Sequence, residues 1–84
     1  MTYKFISDAG HGWLRVPLNE LTPAMRAKIS TYSYVDHTFA YLEEDSDTSI
    51  FVNAIGLKWD TDIEFVRLDG ECIIRSFDRF RGKG

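Results

Sequence analysis

The shortness of the chain is the strongest constraint on its fold. A chain of 84 residues buries only about 60% of the surface that its unfolded form exposes. Nearly every large apolar residue must therefore contribute to one core, because too few remain for a second core or an internal cofactor pocket. We predict a single domain over residues 1–78, followed by a basic tail over residues 79–84, and no cofactor.

Segments typical of strands alternate with turn-forming segments along the chain. Residues 2–7, 13–16 and 38–43 are rich in β-branched and aromatic side chains, which favours strands. The glycine-rich segment 8–12 predicts a loop that joins the first two strands into a hairpin.

A second hairpin is predicted near the C-terminus. Residues 63–68 and 71–77 both have strand composition, and Asp69 and Gly70 lie between them. Asp-Gly favours the type I′ turn, whose twist matches that of two paired strands.

Two segments have the pattern of helices. In residues 18–29 the apolar side chains recur at intervals of three and four, and Thr22 followed by Pro23 is a typical helix start. A second helix is expected between the acidic segment and Gly56, which suits a left-handed C-terminal cap. The order β-β-α-β-α-β-β predicts an α+β fold with five short strands in a mainly antiparallel sheet and two helices on one face.

Charge is segregated along the sequence. The net charge is −3, but residues 36–66 hold eight carboxylates against one lysine, a net −7, whereas residues 67–84 are net positive by two charges. A nucleic acid could therefore bind only at a local basic patch.

The acidic segment, residues 43–47, contains the carboxylates Glu43, Glu44, Asp45 and Asp47. A calcium loop that began at Asp45 would need glycine and glutamate where this chain has Ile50 and Gly56, so the pattern fails. The carboxylates can instead cap the second helix and interact with the positive end of its dipole, with Asp47 and Thr48 as the candidate caps. The alternative is an acidic binding surface.

A possible secondary site comprises Asp8, His11 and Trp13. An imidazole between two glycines, with a carboxylate three residues upstream, could act as a general base or a metal ligand. The other histidine, His37, is distant in sequence, and an exposed histidine in a glycine-rich loop is the simpler interpretation. We predict neither a catalytic residue nor a metal site.

Aromatic side chains precede the acidic segment. Tyr32, Tyr34 and Tyr41 could anchor a protein partner, or could stack against bases with help from nearby cations.

The sequence predicts a cytoplasmic protein. It has one cysteine, Cys72, which excludes an internal disulfide. It has no apolar run of the length that a membrane helix needs and no leader pattern after Met1. We therefore expect no membrane partner, whereas the oligomeric state stays open.

Three blocks of the sequence carry a resemblance. They are residues 10–17, residues 29–34 with the pattern Ile-Ser-x-Tyr-Ser-Tyr, and residues 41–47 with the pattern Tyr-Leu-Glu-Glu-Asp-x-Asp. In order and spacing the chain resembles small uncharacterised proteins encoded by bacteriophages, prophages and plasmids. The resemblance implies a mobile genetic element, a bacterial host cytoplasm and an accessory role.

Three functional hypotheses follow. The first is a non-enzymatic accessory protein that binds a host protein, such as a component of a defence system, through an acidic and aromatic surface: Tyr32, Tyr34, Tyr41, Glu43, Glu44, Asp45 and Asp47. The second is a small nucleic-acid-binding or regulatory module that uses the aromatic residues and the basic tail. The third is a small hydrolase or metal-dependent enzyme that uses Asp8, His11 and His37.

Overall fold

A computed structural model describes residues 2–68 and 73–81. Two turns of 3-10 helix, Leu18–Glu20 and Ile73–Ser76, accompany six strands and two α-helices. In chain order the strands and helices are β1 (Tyr3–Ser7), β2 (Gly12–Pro17), α1 (Pro23–Lys28), β3 (Tyr34–Val35), β4 (Phe39–Glu43), α2 (Asp47–Ile55), β5 (Ile63–Arg67) and β6 (Asp78–Arg79).

The strands form one sheet in the order β5-β1-β2-β4-β3-β6. Every pairing is antiparallel except that of β1 with β5, which is parallel. The predicted α+β class is confirmed. Four of the five predicted strands are found, and the sequence pattern predicted neither of the two short strands, β3 and β6.

The predicted C-terminal hairpin is wrong. Strand β5 pairs with β1 at one edge of the sheet, whereas β6 pairs with β3 at the other edge. Residues 73–76, expected to form a strand, are a turn of 3-10 helix. The predicted turn at Asp69 and Gly70 lies outside the described residues.

The predicted start of the basic tail also needs correction. Arg79 belongs to β6, and the Phe80 side chain is buried among the core residues. The Phe80 N–H donates to the carbonyl of Ser33. The folded part of the chain therefore extends at least to Phe80.

Alternation along the strands gives each face of the sheet its own cluster of apolar side chains. Helices α1 and α2 cover the face that carries Leu14, Val16, Ala40 and Leu42. The segment around Ile74 and Phe77 covers the other face, where Trp13, Tyr34 and Tyr41 are buried. This segment is the reason that the three aromatic side chains are buried although both helices lie on the other face.

Helix α2 begins and ends by different means. Gly56 adopts the expected left-handed conformation, with φ 71°, and its N–H donates to the Val52 carbonyl. The predicted capping by Asp47 and Thr48 is wrong, because both residues lie inside the helix and are buried. The Thr48 hydroxyl donates to the Leu42 carbonyl and so fastens the helix to β4.

Asp47 is the most important buried polar group of the fold. Its side chain is 1% exposed, and Oδ2 accepts hydrogen bonds from the Ser30 N–H at 3.0 Å, the Ser30 hydroxyl at 2.6 Å and the Ser33 hydroxyl at 2.6 Å. The Ser33 hydroxyl in turn accepts the N–H of Glu43 at 2.8 Å. One carboxylate therefore fixes the loop before β3 against the start of α2.

No helix within residues 2–68 and 73–81 is long and apolar enough to cross a membrane.

Replacing Asp47 with alanine tests this network. We expect Asp47→Ala to lower the free energy of unfolding by roughly 2 to 3 kcal/mol, because the buried Ser33 hydroxyl and the half-buried hydroxyl and N–H of Ser30 lose a carboxylate acceptor. Chemical denaturation would measure the change. The matched control is Asp60→Ala, an exposed aspartate, which should change stability by less than about 0.5 kcal/mol. Equal effects of the two variants would contradict the structural role of Asp47.

Candidate functional site

A cleft of about 370 Å³ opens on the sheet face opposite the helices. It lies where β2 begins and β4 ends, since Trp13 pairs with Glu43 in the sheet. Its walls combine aromatic rings with charged groups of both signs: His11, Trp13, Tyr32, Tyr34, Glu43, Asp45, Arg75 and Arg79. Four predicted partner-binding residues and two residues of the predicted secondary site therefore meet in one place.

Trp13 and Tyr34 form the aromatic wall of the cleft. Their rings meet edge to face, with centroids 6.1 Å apart, and both side chains are almost fully buried. Tyr32 differs from them, because 69% of its surface is exposed. A large exposed aromatic ring beside buried ones is a typical anchor for a partner.

The turn between β1 and β2 is held by a buried ion pair. The Asp8 carboxylate accepts the N–H groups of Gly10 and His11, both at 2.9 Å. It also accepts the Nε of Arg75 at 2.9 Å and Nη2 at 3.2 Å. The Arg75 guanidinium lies 5.4 Å from the centre of the Trp13 ring. Asp8 is therefore a structural partner of Arg75 and fixes the position of this guanidinium at the cleft.

Arg79 is held on the opposite side of the cleft. Its guanidinium lies 5.0 Å from the centre of the Tyr34 ring, and Nη1 donates to the Thr31 carbonyl at 3.1 Å. The sequence analysis assigned Arg75 to a strand of the C-terminal hairpin and Arg79 to the tail, and thus missed both as cleft residues. Only the return of the chain across the sheet brings them beside Trp13 and Tyr34.

Three carboxylates form the acidic lip of the cleft, which we define as Glu43, Glu44 and Asp45. Glu44 and Asp45 are exposed, and Glu44 Oε1 lies 3.7 Å from Nδ1 of His11. Burial tends to raise the pKa of Glu43, but hydrogen bonds from the N–H groups of Asp45, Ser46 and Asp47 hold that pKa below its ordinary value. Glu43 therefore orders the start of α2, the role that the sequence analysis gave to Asp47 and Thr48.

Asp47 and Tyr41 lie outside the cleft. Asp47 is buried in the Ser30–Ser33 network and cannot contribute to an exposed anionic surface, so its assignment to the binding surface is corrected. Tyr41 packs against Phe77, with ring centroids 5.1 Å apart, and its hydroxyl donates to Asp36 at 2.6 Å. The buried Tyr41 ring supports the sheet face next to the cleft.

The two histidines are not brought together. His11 lies at the end of the sheet where Trp13 pairs with Glu43, whereas His37 lies in the turn between β3 and β4, near the pairing of Pro17 with Phe39. Within the described residues no group of three His, Cys, Asp or Glu side chains could hold a metal ion. The arrangement thus gives no support to an enzyme that combines Asp8, His11 and His37.

Comparison of this chain with protein-family models, with curated proteins and with solved structures returns no match. The proposed function therefore rests on the geometry and charge of the cleft.

The lowered pKa of Glu43 predicts an acid-sensitive helix start. A carboxyl group whose pKa is lowered by folding stabilises the protein above its unfolded pKa and loses that contribution as the pH falls through the folded value. We expect the melting temperature to fall below about pH 4, and to fall less steeply in Glu43→Gln, which has no charge to lose. Thermal melts between pH 2 and pH 7 would measure this.

The control for Glu43→Gln is Glu44→Gln, in the adjacent exposed residue. It should keep the acid dependence of the parent protein. If Glu43→Gln also keeps it, then Glu43 does not contribute to acid sensitivity.

Proposed function

We propose that this protein binds another protein, and that the cleft accepts a basic side chain or a short basic segment of that partner. The observation that supports this most is the excess of accessible negative charge at the cleft. The carboxylates of Glu44 and Asp45 are exposed, whereas the charge of Arg75 is paired with Asp8 and that of Arg79 remains exposed.

The chemistry of the walls fits such a guest. A lysine or arginine side chain that enters between Tyr32 and Asp45 would place its aliphatic stem on an aromatic ring and its charge beside carboxylates. Trp13 and Tyr34 would remain rigid beneath it, since both are already buried. Because the side chains of this aromatic wall are already ordered, binding costs less conformational entropy.

We further propose that the partner is a bacterial host protein and that the role is an accessory, non-enzymatic one. This part rests on the resemblance to small proteins of phages, prophages and plasmids. A protein of a defence system is a suitable class of partner, because a cationic channel that normally accepts nucleic acid would attract the acidic lip.

The second candidate function is binding of single-stranded nucleic acid. Exposed Arg79 lines the cleft together with the exposed ring of Tyr32, and exposed Arg81 lines a second cavity that shares Thr31 with this region. Stacking of bases on aromatic rings beside cations is the usual way in which proteins bind single strands. The acidic lip opposes it, because a phosphate in the cleft would approach Glu43 and Asp45.

Affinity capture from a bacterial lysate with the full chain, followed by binding kinetics on the captured protein, tests the first function. We expect Asp45→Lys to slow association and to weaken its salt dependence, because an exposed charge at a rim acts mainly on the encounter rate. We expect Tyr32→Ala to speed dissociation by roughly tenfold, as the loss of an aromatic anchor does.

Matched controls are Asp60→Lys, which makes the same change of charge away from the cleft, and Ile73→Ala, which truncates another exposed apolar side chain. Both should bind as the parent does. The proposal fails if all four variants bind alike. It is replaced by the second function if the captured partner is a nucleic acid whose salt-dependent binding is lost in Arg79→Ala and Arg81→Ala.

A further inference from the structure

Strand β5 forms one edge of the sheet and carries a cluster of exposed rings. Phe65 is 63% exposed and Trp59 is 42% exposed, and their rings stack with centroids 6.1 Å apart. Phe5 packs against both rings, at 5.7 Å from Trp59 and 5.8 Å from Phe65. This aromatic edge lies at the far end of the sheet from β6, and so is separate from the cleft.

The backbone of β5 can pair with a further strand. The Asp62 carbonyl accepts the N–H of Tyr3, and the N–H of Leu68 donates to the Ser7 carbonyl. Since hydrogen-bonding directions alternate along a parallel pair, the even-numbered residues of β5 bond to β1. The N–H and C=O groups of Ile63, Phe65 and Arg67 therefore point away from β1, to the side where no strand of the described residues pairs with β5.

The two edges of the sheet differ in their capacity for pairing. Strand β6 has two residues, Asp78 and Arg79, whereas β5 has five and keeps a regular register with β1 throughout. A short edge strand is one of the ways in which proteins prevent edge-to-edge association. Strand β5 does not have this protection.

An antiparallel pairing centred on Phe65 satisfies all three outward residues. Phe65 would face Phe65 of a second copy, and Ile63 would face Arg67 on either side of the two-fold axis, which gives three hydrogen-bonded pairs. The same register places Arg67 diagonally beside the aromatic ring of the second copy, within reach of a cation–π contact. Because the dimer is two-fold symmetric, this contact between Arg67 and the ring forms twice.

We propose that the protein forms a two-fold symmetric dimer in which the β5 strands of two copies pair antiparallel and the sheets join into one. The interface is isologous, with the same surface of each copy in contact. The facing Phe65 rings lose exposure to water in this dimer, and the outward N–H and C=O groups of β5 find partners. The occupant of the edge is a second copy of this chain, because β5 itself provides both the Phe65 ring and the Arg67 cation that meets this ring.

Sedimentation velocity of the full chain, from low micromolar to millimolar concentration, tests the proposal. The parent should pass from monomer to dimer, and Phe65→Lys should raise the dissociation constant by at least about tenfold, because two like charges would meet at the axis. Ile73→Lys, at another exposed apolar residue, should dimerise as the parent does.

Cross-linking provides a second measurement that keeps the aromatic rings intact. In a Cys72→Ser background, Glu64→Cys would place two thiols diagonally across the axis, about 7 to 8 Å apart between Cα atoms, within the span of a short bis-maleimide. Ile73→Cys in the same background should give little cross-linked dimer.

The outcomes are decisive in either direction. A parent that remains monomeric at every concentration, or a Glu64→Cys variant that cross-links no better than Ile73→Cys, would overturn the dimer. If circular dichroism shows that Phe65→Lys does not fold, the comparison of Glu64→Cys with Ile73→Cys tests the dimer by itself. Tyr32→Ala should leave dimerisation unchanged, so the dimer and the proposed binding function can fail separately.

Discussion

The buried carboxylate of Asp47 is the interaction on which the rest of this structure most depends. It accepts hydrogen bonds from Ser30 and Ser33. The Ser33 hydroxyl also accepts the N–H of Glu43 in β4, and the Ser33 carbonyl accepts the N–H of Phe80, which follows β6. Strand β3 is only two residues long and could not be fixed by its own ladder. The polar network therefore sets the positions of β3, β6 and the acidic lip together, in a protein too small to do so by apolar packing alone.

A second buried charge, Asp8, closes the other side of the molecule. Through Arg75 it joins the turn between β1 and β2 to a segment more than sixty residues later in the chain. This contact keeps the 3-10 turn over Trp13 and turns an open sheet face into a cleft with rigid walls. Two arginines lie in that cleft, but the charge of Arg75 is paired with Asp8, so the three carboxylates of the acidic lip outnumber the exposed cation of Arg79. Composition alone would not reveal this, because the C-terminal segment that supplies the arginines is net basic.

The two proposed surfaces lie in different parts of one sheet and would bind through different interactions. The cleft combines exposed carboxylates with an aromatic anchor, which suits a partner that is attracted by charge and held by one ring. The edge at β5 combines open backbone groups with stacked rings, which suits association through a continued sheet. A dimer joined at β5 would leave both clefts accessible and would present them in pairs. Such an arrangement increases the effective concentration of the second site for any partner that is itself repetitive or dimeric.

The sequence alone determined the α+β class, the hairpin of β1 and β2, the two helices and the left-handed cap at Gly56, because periodicity, turn residues and glycine conformation act over short distances. It also identified Tyr32, Tyr34, Glu43, Asp45, His11 and Trp13 as candidate site residues, because the aromatic residues and the carboxylates are clustered in short segments of the sequence. Only the tertiary structure decided which of them meet. Residues 63–77 have the local signature of a hairpin, but β5 finds a better surface beside β1, and residues 73–76 are needed to cover Trp13. Burial likewise reassigned Asp47 from the surface to the interior, because a carboxylate among serines becomes a structural group only when distant segments fold around it.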